Sequence, residues 1–574
     1  MADEARSRDR PNILLVLTDD QGYGDLALNG NPYLRTPNID RLANEGARLE
    51  RYYVSPLCAP TRAALLTGRY HPRTGVLSPG HGVETLPADE VTLPQIFKSN
   101  GYATGCFGKW HNGHSYPHTP LGNDVDRFLG FCGGFFPNYF DPLLQTNDSE
   151  QQTTGFITDV LADAAIEFMT DNRDTPFFCY VPFNAPHSPL QCPDDLFEKY
   201  KALGLNDAHA CLYAECENID TNVGRLLLTL ENLGLADKTI VIFTTDNGAA
   251  RIQGERYNAG MRGWKGEVDE GGNRVPFIIR WPSRVAGGVV RRELTAHIDL
   301  LPTLVEMCDL PEPRTRPLDG ISFASLLLGE HTDWPQRMIF THVLKPPIGD
   351  TLRPAPGAIR TPRYRLTVYD ERTELYDMDE DPGQTRDLAG ERTDVASELR
   401  RAYDGWFAEV RPPGGTIRRL PIAIGYPQAP RVEIPSKDAR FTGNARFHGH
   451  GWEYDWATGL CGPEDTIYWS IDVEREADFR FFIRYTLRSE DVGTRVRLAV
   501  GEQSLEHTFE ESRDPPEIKR PDRIPRWEVT EKEWAESDMG LLHLVPGVQK
   551  LVVSPVIVTG RSSVDIIAVI ARSE

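Results

Sequence analysis

After a short charged lead the chain runs through Ile13-Leu14-Leu15-Val16-Leu17 without a polar break. A continuous apolar run of that length predicts a strand buried on both faces, as in parallel sheets. The signature returns at Tyr102–Phe107, Phe177–Val181, Thr239–Phe243 and Phe277–Arg280. Between these runs the apolar positions recur at helical spacing, in helices opening near Thr36, Thr92, Phe156, Ala208 and Asp299. Strand and helix alternate in this way from residue 10 to about 330. The pattern predicts an α/β domain, a large mostly parallel sheet sandwiched by helices.

Beyond 330 the period changes. Short alternating runs at Met338–Val343, Gly357–Arg360, Tyr364–Val368 and Glu374–Asp377 precede one helical stretch, Asp394–Val410. They predict a small antiparallel sheet with a covering helix over 331–412. Residues 413–435 are rich in Pro and Gly and read as a linker. From 436 to 574 turn-bounded alternating runs predict a β-sandwich: 465–473, 477–485, 494–500, 503–508, 540–545, 549–556 and 563–571. Trp452, Trp456 and Trp469 read either as a stacking platform or, as the favoured expectation, as core residues. The sandwich is expected to brace the chain rather than to bind sugar.

The strand ends carry the chemistry. The first core strand ends in Asp19-Asp20, the second in Lys109-Trp110-His111, the third runs to His187, and the fourth ends in Asp246-Asn247. In a doubly wound sheet such ends share one edge, where ligands bind. Three aspartates and an asparagine are hard oxygen ligands, suited to Ca²⁺ or Mg²⁺. The net charge of −22 argues against nucleic acid and anionic membranes as partners. An anionic substrate would therefore need a local cationic cluster, which Arg62, Lys109 and Lys265 with the two histidines supply. No apolar run approaches a membrane span. Met1–Arg10 lacks the apolar core of a signal peptide, so the chain is cytoplasmic as written, or exported if a signal has been removed. The nine cysteines show no metal-ligand spacing, and no disulfide framework is expected.

One cysteine stands apart. In Ser55-Pro-Leu-Cys58-Ala-Pro60-Thr-Arg62, Pro60 suits the first turn of a helix and Gly68 suits its end. That places Cys58 at a helix N-terminus with Arg62 one turn on. The motifs follow in the order Asp-Asp, Cys-x-Pro-x-Arg, Gly-Lys-Trp-His, Ala-Pro-His, Thr-Asp-Asn-Gly, Trp-Lys-Gly and Glu-Gly-Gly-x-Arg-x-Pro. In that order, from residue 11 to about 410, the chain resembles the type I, formylglycine-dependent sulfatases of the alkaline phosphatase superfamily.

The resemblance implies an alkaline-phosphatase-like fold and conversion of Cys58 to 3-oxoalanine (formylglycine) by a formylglycine-generating enzyme. It implies one Ca²⁺ held by Asp19, Asp20, Asp246, Asn247 and the modified residue 58. It further implies hydrolysis of sulfate monoesters by the hydrated aldehyde through a covalent sulfo-enzyme. In that scheme Lys109, His187 and Lys265 bind the sulfuryl group, and His187 or Lys265 protonates the leaving oxygen. His111 deprotonates the second hydroxyl to release sulfate, while Arg62 and Lys109 orient the diol. A sulfated carbohydrate is the expected substrate, because an added β-module suits polymer degradation. Two other functions stay open: hydrolysis of phosphate diesters or phosphonate monoesters by the same aldehyde, and binding of sulfated glycans if Cys58 stays a thiol. Met261-Arg262, ahead of the Trp-Lys-Gly motif, departs from the family pattern.

Overall fold

Asn12–Thr18 lies near the middle of a ten-stranded sheet in the computed structural model, which describes residues 10–147, 149–329, 333–344, 349–560 and 564–574. The charged lead before Arg10, the expected boundary at 330/331 and the start of the expected 563–571 strand lie outside the described residues. Across the sheet, Thr239–Thr245, Asn12–Thr18, Phe177–Pro182, Ala103–Lys109 and Arg127–Phe131 are neighbours, all parallel. Antiparallel pairs flank this block, with Phe277–Arg280 on one side and Leu143–Thr146 on the other.

The apolar runs are continuous because both faces are covered. Ile13, Leu15 and Leu17 join Phe178, Tyr180, Ile240 and Ile242 in one core. Leu14 and Val16 join Cys179, Val181, Val241 and Phe243 in the other. Helices Cys58–Thr67, Leu93–Ser99 and Leu300–Met307 pack on the first face. Pro37–Glu45, Ile157–Asp171 and Asp207–Asn232 pack on the second. Cys211 and Cys216 are buried in a satellite cluster on the last of these helices, and both are free thiols. No helix among the described residues is long and apolar enough to cross a membrane.

A four-stranded antiparallel sheet follows, Ile339–His342, Gly357–Arg360, Tyr364–Val368 and Thr373–Asp377 in sequential order. Helix Thr393–Val410 covers it with Leu399, Tyr403, Trp406 and Phe407. The C-terminal part is two six-stranded sheets closed over one apolar core.

The expected linker is not one. Within 413–435, Ile422–Ile424 pairs in parallel with Ile471–Val473, and Arg431–Pro435 pairs antiparallel with Ala568–Arg572. These residues supply a strand to each sheet. Pro421, Pro430 and Pro435 stand at strand ends, where no ladder N–H is needed, so the composition misled. Ala535–Leu544 starts before the expected 540, because its polar residues Glu536 and Asp538 point outward at period 2. Trp456 and Trp469 are buried, 1% and 2% exposed. Trp452 is not a core residue; it is half-buried and faces the α/β domain.

Candidate active site

The register Thr18 to Thr245 sets Asp19 beside Asp246 at the carboxyl edge of the sheet. The pairing continues past the strands, where the Asp246 N–H donates to Thr18 O (3.1 Å) and the Asp19 N–H to Ala185 O (3.2 Å). Asp20 adopts a left-handed conformation (φ 66°), and its N–H donates to Asp246 Oδ1 at 3.2 Å. Asn247 Nδ2 donates to Asp20 Oδ1 at 2.8 Å, which turns the amide oxygen away from that bond. Ligand atoms of Asp19, Cys58 and Asp246 lie within 4.8 Å of one another, as do those of Asp19, Asp20 and His187.

Cys58 reaches this cluster from the first turn of helix Cys58–Thr67. Leu57 before it is extended, and Gly68 closes the helix in the left-handed region with its N–H on Ala64 O. The helix is buried along its whole length, so its positive end is little screened. Burial nevertheless pushes the thiol up, outweighing Lys109 and Lys265. The residue as encoded is a neutral thiol and a weak nucleophile.

The cations arrive by separate routes. Lys109 follows Gly108, whose φ of +139° and contact with Pro182 leave no room for a side chain: a Cβ would stand 2.0 Å from Pro182 O. Lys109 Nζ donates to Asp19 Oδ2 at 2.6 Å, and Lys265 Nζ to Asp20 Oδ2 at 2.8 Å. Arg62 grips Asp246 Oδ2 through Nε (3.1 Å) and Nη2 (2.7 Å), and its Nη1 donates to Lys109 O (2.8 Å). It thus positions Asp246 and the Lys109 backbone.

Two histidines complete the group. His111 Nε2 donates to Pro79 O at 2.8 Å; a carbonyl only accepts, so the hydrogen sits on Nε2. Nδ1 finds no partner among the described residues, and burial reinforced by Lys109 pushes the ring well down, toward the neutral base. His187 Nδ1 donates to Ser188 O at 2.6 Å, leaving Nε2 3.7 Å from Asp20 Oδ2. Burial and Lys265 push His187 down as well.

The donor set fits a hard divalent cation. Asp19 Oδ1 and Asn247 Oδ1 are buried and find no hydrogen-bond partner among the described residues. Burial and the neighbouring Asp19 carboxylate push Asp246 up, the mark of crowded like charge. Orphaned buried oxygens and crowded carboxylates both cost free energy, and an oxygen-seeking cation relieves both.

Some participants carried no mark in the sequence. Arg256 pairs with buried Asp25, and its Nη2 donates to Asp20 O at 3.0 Å. Asp25 Oδ2 also accepts from Gly22 N–H at 2.7 Å, so the pair fixes the turn after Asp20. Above the cluster, Cys58, His111, His187 and Lys265 open into a cavity of about 260 Å³. Trp452, Glu453, Trp527 and Glu528 of the C-terminal region form part of its wall. Arg262, the departure from the family pattern, turns to the small sheet, with Nη2 on Glu374 at 3.0 Å.

The family description "Sulfatase" matches residues 11–310. The chain belongs to the sulfatase family. A second description, "N-sulphoglucosamine sulphohydrolase, C-terminal", matches residues 264–404. Human arylsulfatase A is 32% identical over 456 residues, covering 68% of this sulfatase and 86% of the relative. Mouse steryl-sulfatase is 33% identical over 416 residues, covering 56% and 65%. This sulfatase thus spans just under two thirds of the steryl-sulfatase's length. Among solved structures, Ps i-CgsB in complex with k-i-k-neocarrahexaose superposes with a TM-score of 0.64 at 28% identity, covering 69% of this chain and 92% of that one. The α/β part therefore has the alkaline-phosphatase-like architecture.

Proposed function

We propose that this sulfatase hydrolyses sulfate monoesters carried on carbohydrate, with residue 58 acting as an aldehyde rather than a thiol. The convergence of four strand ends and the Cys58 helix on one buried cluster carries this reading. The neutral, buried thiol supports modification, since unmodified Cys58 would attack sulfur poorly. The carbohydrate carrier is supported by the solved relative bound to k-i-k-neocarrahexaose.

Asp19, Asp20, Asp246 and Asn247 would hold Ca²⁺, which when bound offsets their charge and draws charge from the sulfuryl oxygens. A hydrated aldehyde at 58, made by a formylglycine-generating enzyme, supplies two hydroxyls, one to attack sulfur and one through which sulfate leaves. The remaining work belongs to side chains already in place. Lys109 and Lys265 present ammonium groups to the sulfuryl oxygens. His111 holds a free Nδ1 lone pair and serves as the base toward residue 58. Lys265, whose ammonium lines the cavity, gives the proton to the leaving alcohol. His187, with its Nδ1–H held by Ser188 O, offers Nε2 as an acceptor to the bound ester. Arg62 keeps Asp246 and Lys109 aligned.

The rival is a phosphate diester or phosphonate monoester hydrolase using the same aldehyde. Sulfate, phosphate diester and phosphonate esters of 4-nitrophenol share one leaving group, so their kcat/KM values isolate the transferred group. The highest value is expected for the sulfate. A higher value for either phosphorus ester would overturn the assignment.

A further inference from the structure

The cavity over Cys58 is walled on one side by residues beyond 404, outside both family matches. Two segments of the sandwich reach it. The first is the loop from His448 to Asp455, tied by Asp455, whose carboxylate accepts from Gly449 N–H (3.0 Å) and Gly451 N–H (2.7 Å). It sets Trp452 against Gly80, where a Cβ would meet the indole at 3.2 Å. It also sets Glu453 on Gly134, whose N–H donates to Oε2 at 3.2 Å.

The second segment precedes strand Ala535–Leu544 and is latched to the chain just after His187 and to Pro137. Arg523 N–H donates to Leu190 O (2.9 Å), Gln191 Nε2 to Asp522 Oδ1 (2.7 Å) and Arg526 Nη2 to Pro137 O (3.1 Å). It delivers Trp527 and Glu528 to the cavity. The rings of Trp452 and Trp527 meet at 86° with centroids 6.1 Å apart, forming an aromatic corner. Trp527 is 56% exposed, so much of its ring stays open beside the cavity it lines.

Glu528 decides what the corner receives. It is 7% exposed, its Oε1 accepts from Ser188 Oγ, and its Oε2 is buried with no partner among the described residues. A buried carboxylate oxygen without a donor is costly, and a donor on the ligand would satisfy it. Glu453, by contrast, is already engaged by Gly134 N–H and lies 3.8 Å from Lys437 Nζ.

We propose that the sandwich completes the substrate site. The Trp452–Trp527 corner stacks on the apolar face of one sugar ring bearing the scissile sulfate, and Glu528 Oε2 accepts a hydrogen bond from a hydroxyl of that ring. The proposal rests on the sulfatase reading and narrows its substrate class. About 260 Å³ is below the usual range for pockets that enclose larger ligands, so the cavity takes one ring. A second sulfate or a carboxylate beside Glu528 is repelled, so the preferred ring is monosulfated with a free hydroxyl there.

The test uses the full-length, aldehyde-bearing enzyme and sulfate release from 4-nitrophenyl sulfate and from sugars. The sugar probes are the monosulfates of galactose and N-acetylgalactosamine with the matching disulfates. Wild-type enzyme is expected to favour a monosulfate over its disulfate. Glu528→Ala is expected to lower kcat/KM for that sugar roughly ten- to a hundredfold more than for the aryl ester. Trp527→Ala, at an exposed position, is expected to raise KM for the sugar more than it lowers kcat. Glu528→Gln retains an acceptor for Ser188 and is expected to narrow the gap between mono- and disulfate, which reads the carboxylate's charge if Glu528→Ala folds poorly. Equal losses on sugar and aryl ester, or a wild-type preference for disulfates, would overturn the subsite alone. No sulfate from any ester, the aryl one included, would overturn the sulfatase reading and this proposal with it.

Discussion

At the scale of single residues, position 58 combines two opposing influences. It stands at a buried helix N-terminus beside two lysines, which favour an anion, yet burial outweighs them and keeps the thiol protonated. A hydrated aldehyde escapes the conflict because it needs no buried thiolate and carries a second hydroxyl for sulfate release. Cys58→Ser keeps one hydroxyl and loses the other. It is therefore expected to stop after about one sulfuryl transfer and to retain that group, visible in the intact mass. Sustained turnover by Cys58→Ser at the wild-type rate would sink the two-hydroxyl argument. The convergence of Asp19, Asp20, Lys109, Asp246 and Asn247 on one edge was readable, because each interrupts an apolar run at its end. Trp452 was misread. Nothing local separates a tryptophan that fills a core from one that walls a cavity, since both rings are mostly buried. Asp25 and Arg256 were invisible for another reason: their pairing joins residues far apart in sequence.

At the scale of elements, the site is a property of adjacent strand ends, and its precision comes from how tightly the strands approach. Gly108 is one such close approach, with no room for a Cβ against Pro182 O and a backbone φ of +139°. Gly108→Ala is expected to destabilise the fold by about 3 kcal/mol or more and to pull Lys109 from Asp19, read by denaturant unfolding and by kcat. Wild-type stability in that variant would show that the strands are not in contact there. The acidic strand ends also tie stability to metal. Ca²⁺ at about 100 times its Kd is expected to stabilise the protein by about 2.7 kcal/mol, and a chelator should remove that increment. Asp246→Ala should abolish the response; an unchanged melting temperature with and without Ca²⁺ in the wild type would speak against a cation at these four residues. Four of the five parallel core strands were legible from sequence, since burial on both faces leaves an unbroken apolar run; Arg127–Phe131, interrupted by Gly130, was not. The strands at Ile422–Ile424 and Arg431–Pro435 were not, because short strands flanked by proline carry too few positions for a period to show.

At the scale of the whole molecule, the sandwich is joined to the α/β domain by charge as well as by the aromatic wall. Lys437 is almost fully buried and pairs with equally buried Glu84, with Asp438 at 3.1 Å and Glu453 at 3.8 Å. Removing one member leaves an uncompensated buried charge, so Lys437→Ala is expected to cost about 3–5 kcal/mol. Replacing the pair together, Lys437→Met with Glu84→Gln, is expected to cost less; a single substitution without effect would mean the two parts are not docked through this pair. This contact could not be read from sequence, because it needs the relative placement of residues 353 positions apart. The alternation of strand and helix, by contrast, announced the α/β layer at once. All three scales meet in the claim that the working group at position 58 is an aldehyde made from cysteine. The most direct test combines two quantities from the same preparations: sulfate released per second, and the aldehyde fraction of the tryptic peptide Tyr52–Arg62 by mass spectrometry. Across preparations matured to different extents, turnover is expected to rise in proportion to the aldehyde fraction and to extrapolate to zero without it. Turnover at full rate from enzyme whose peptide carries only the thiol would contradict the account.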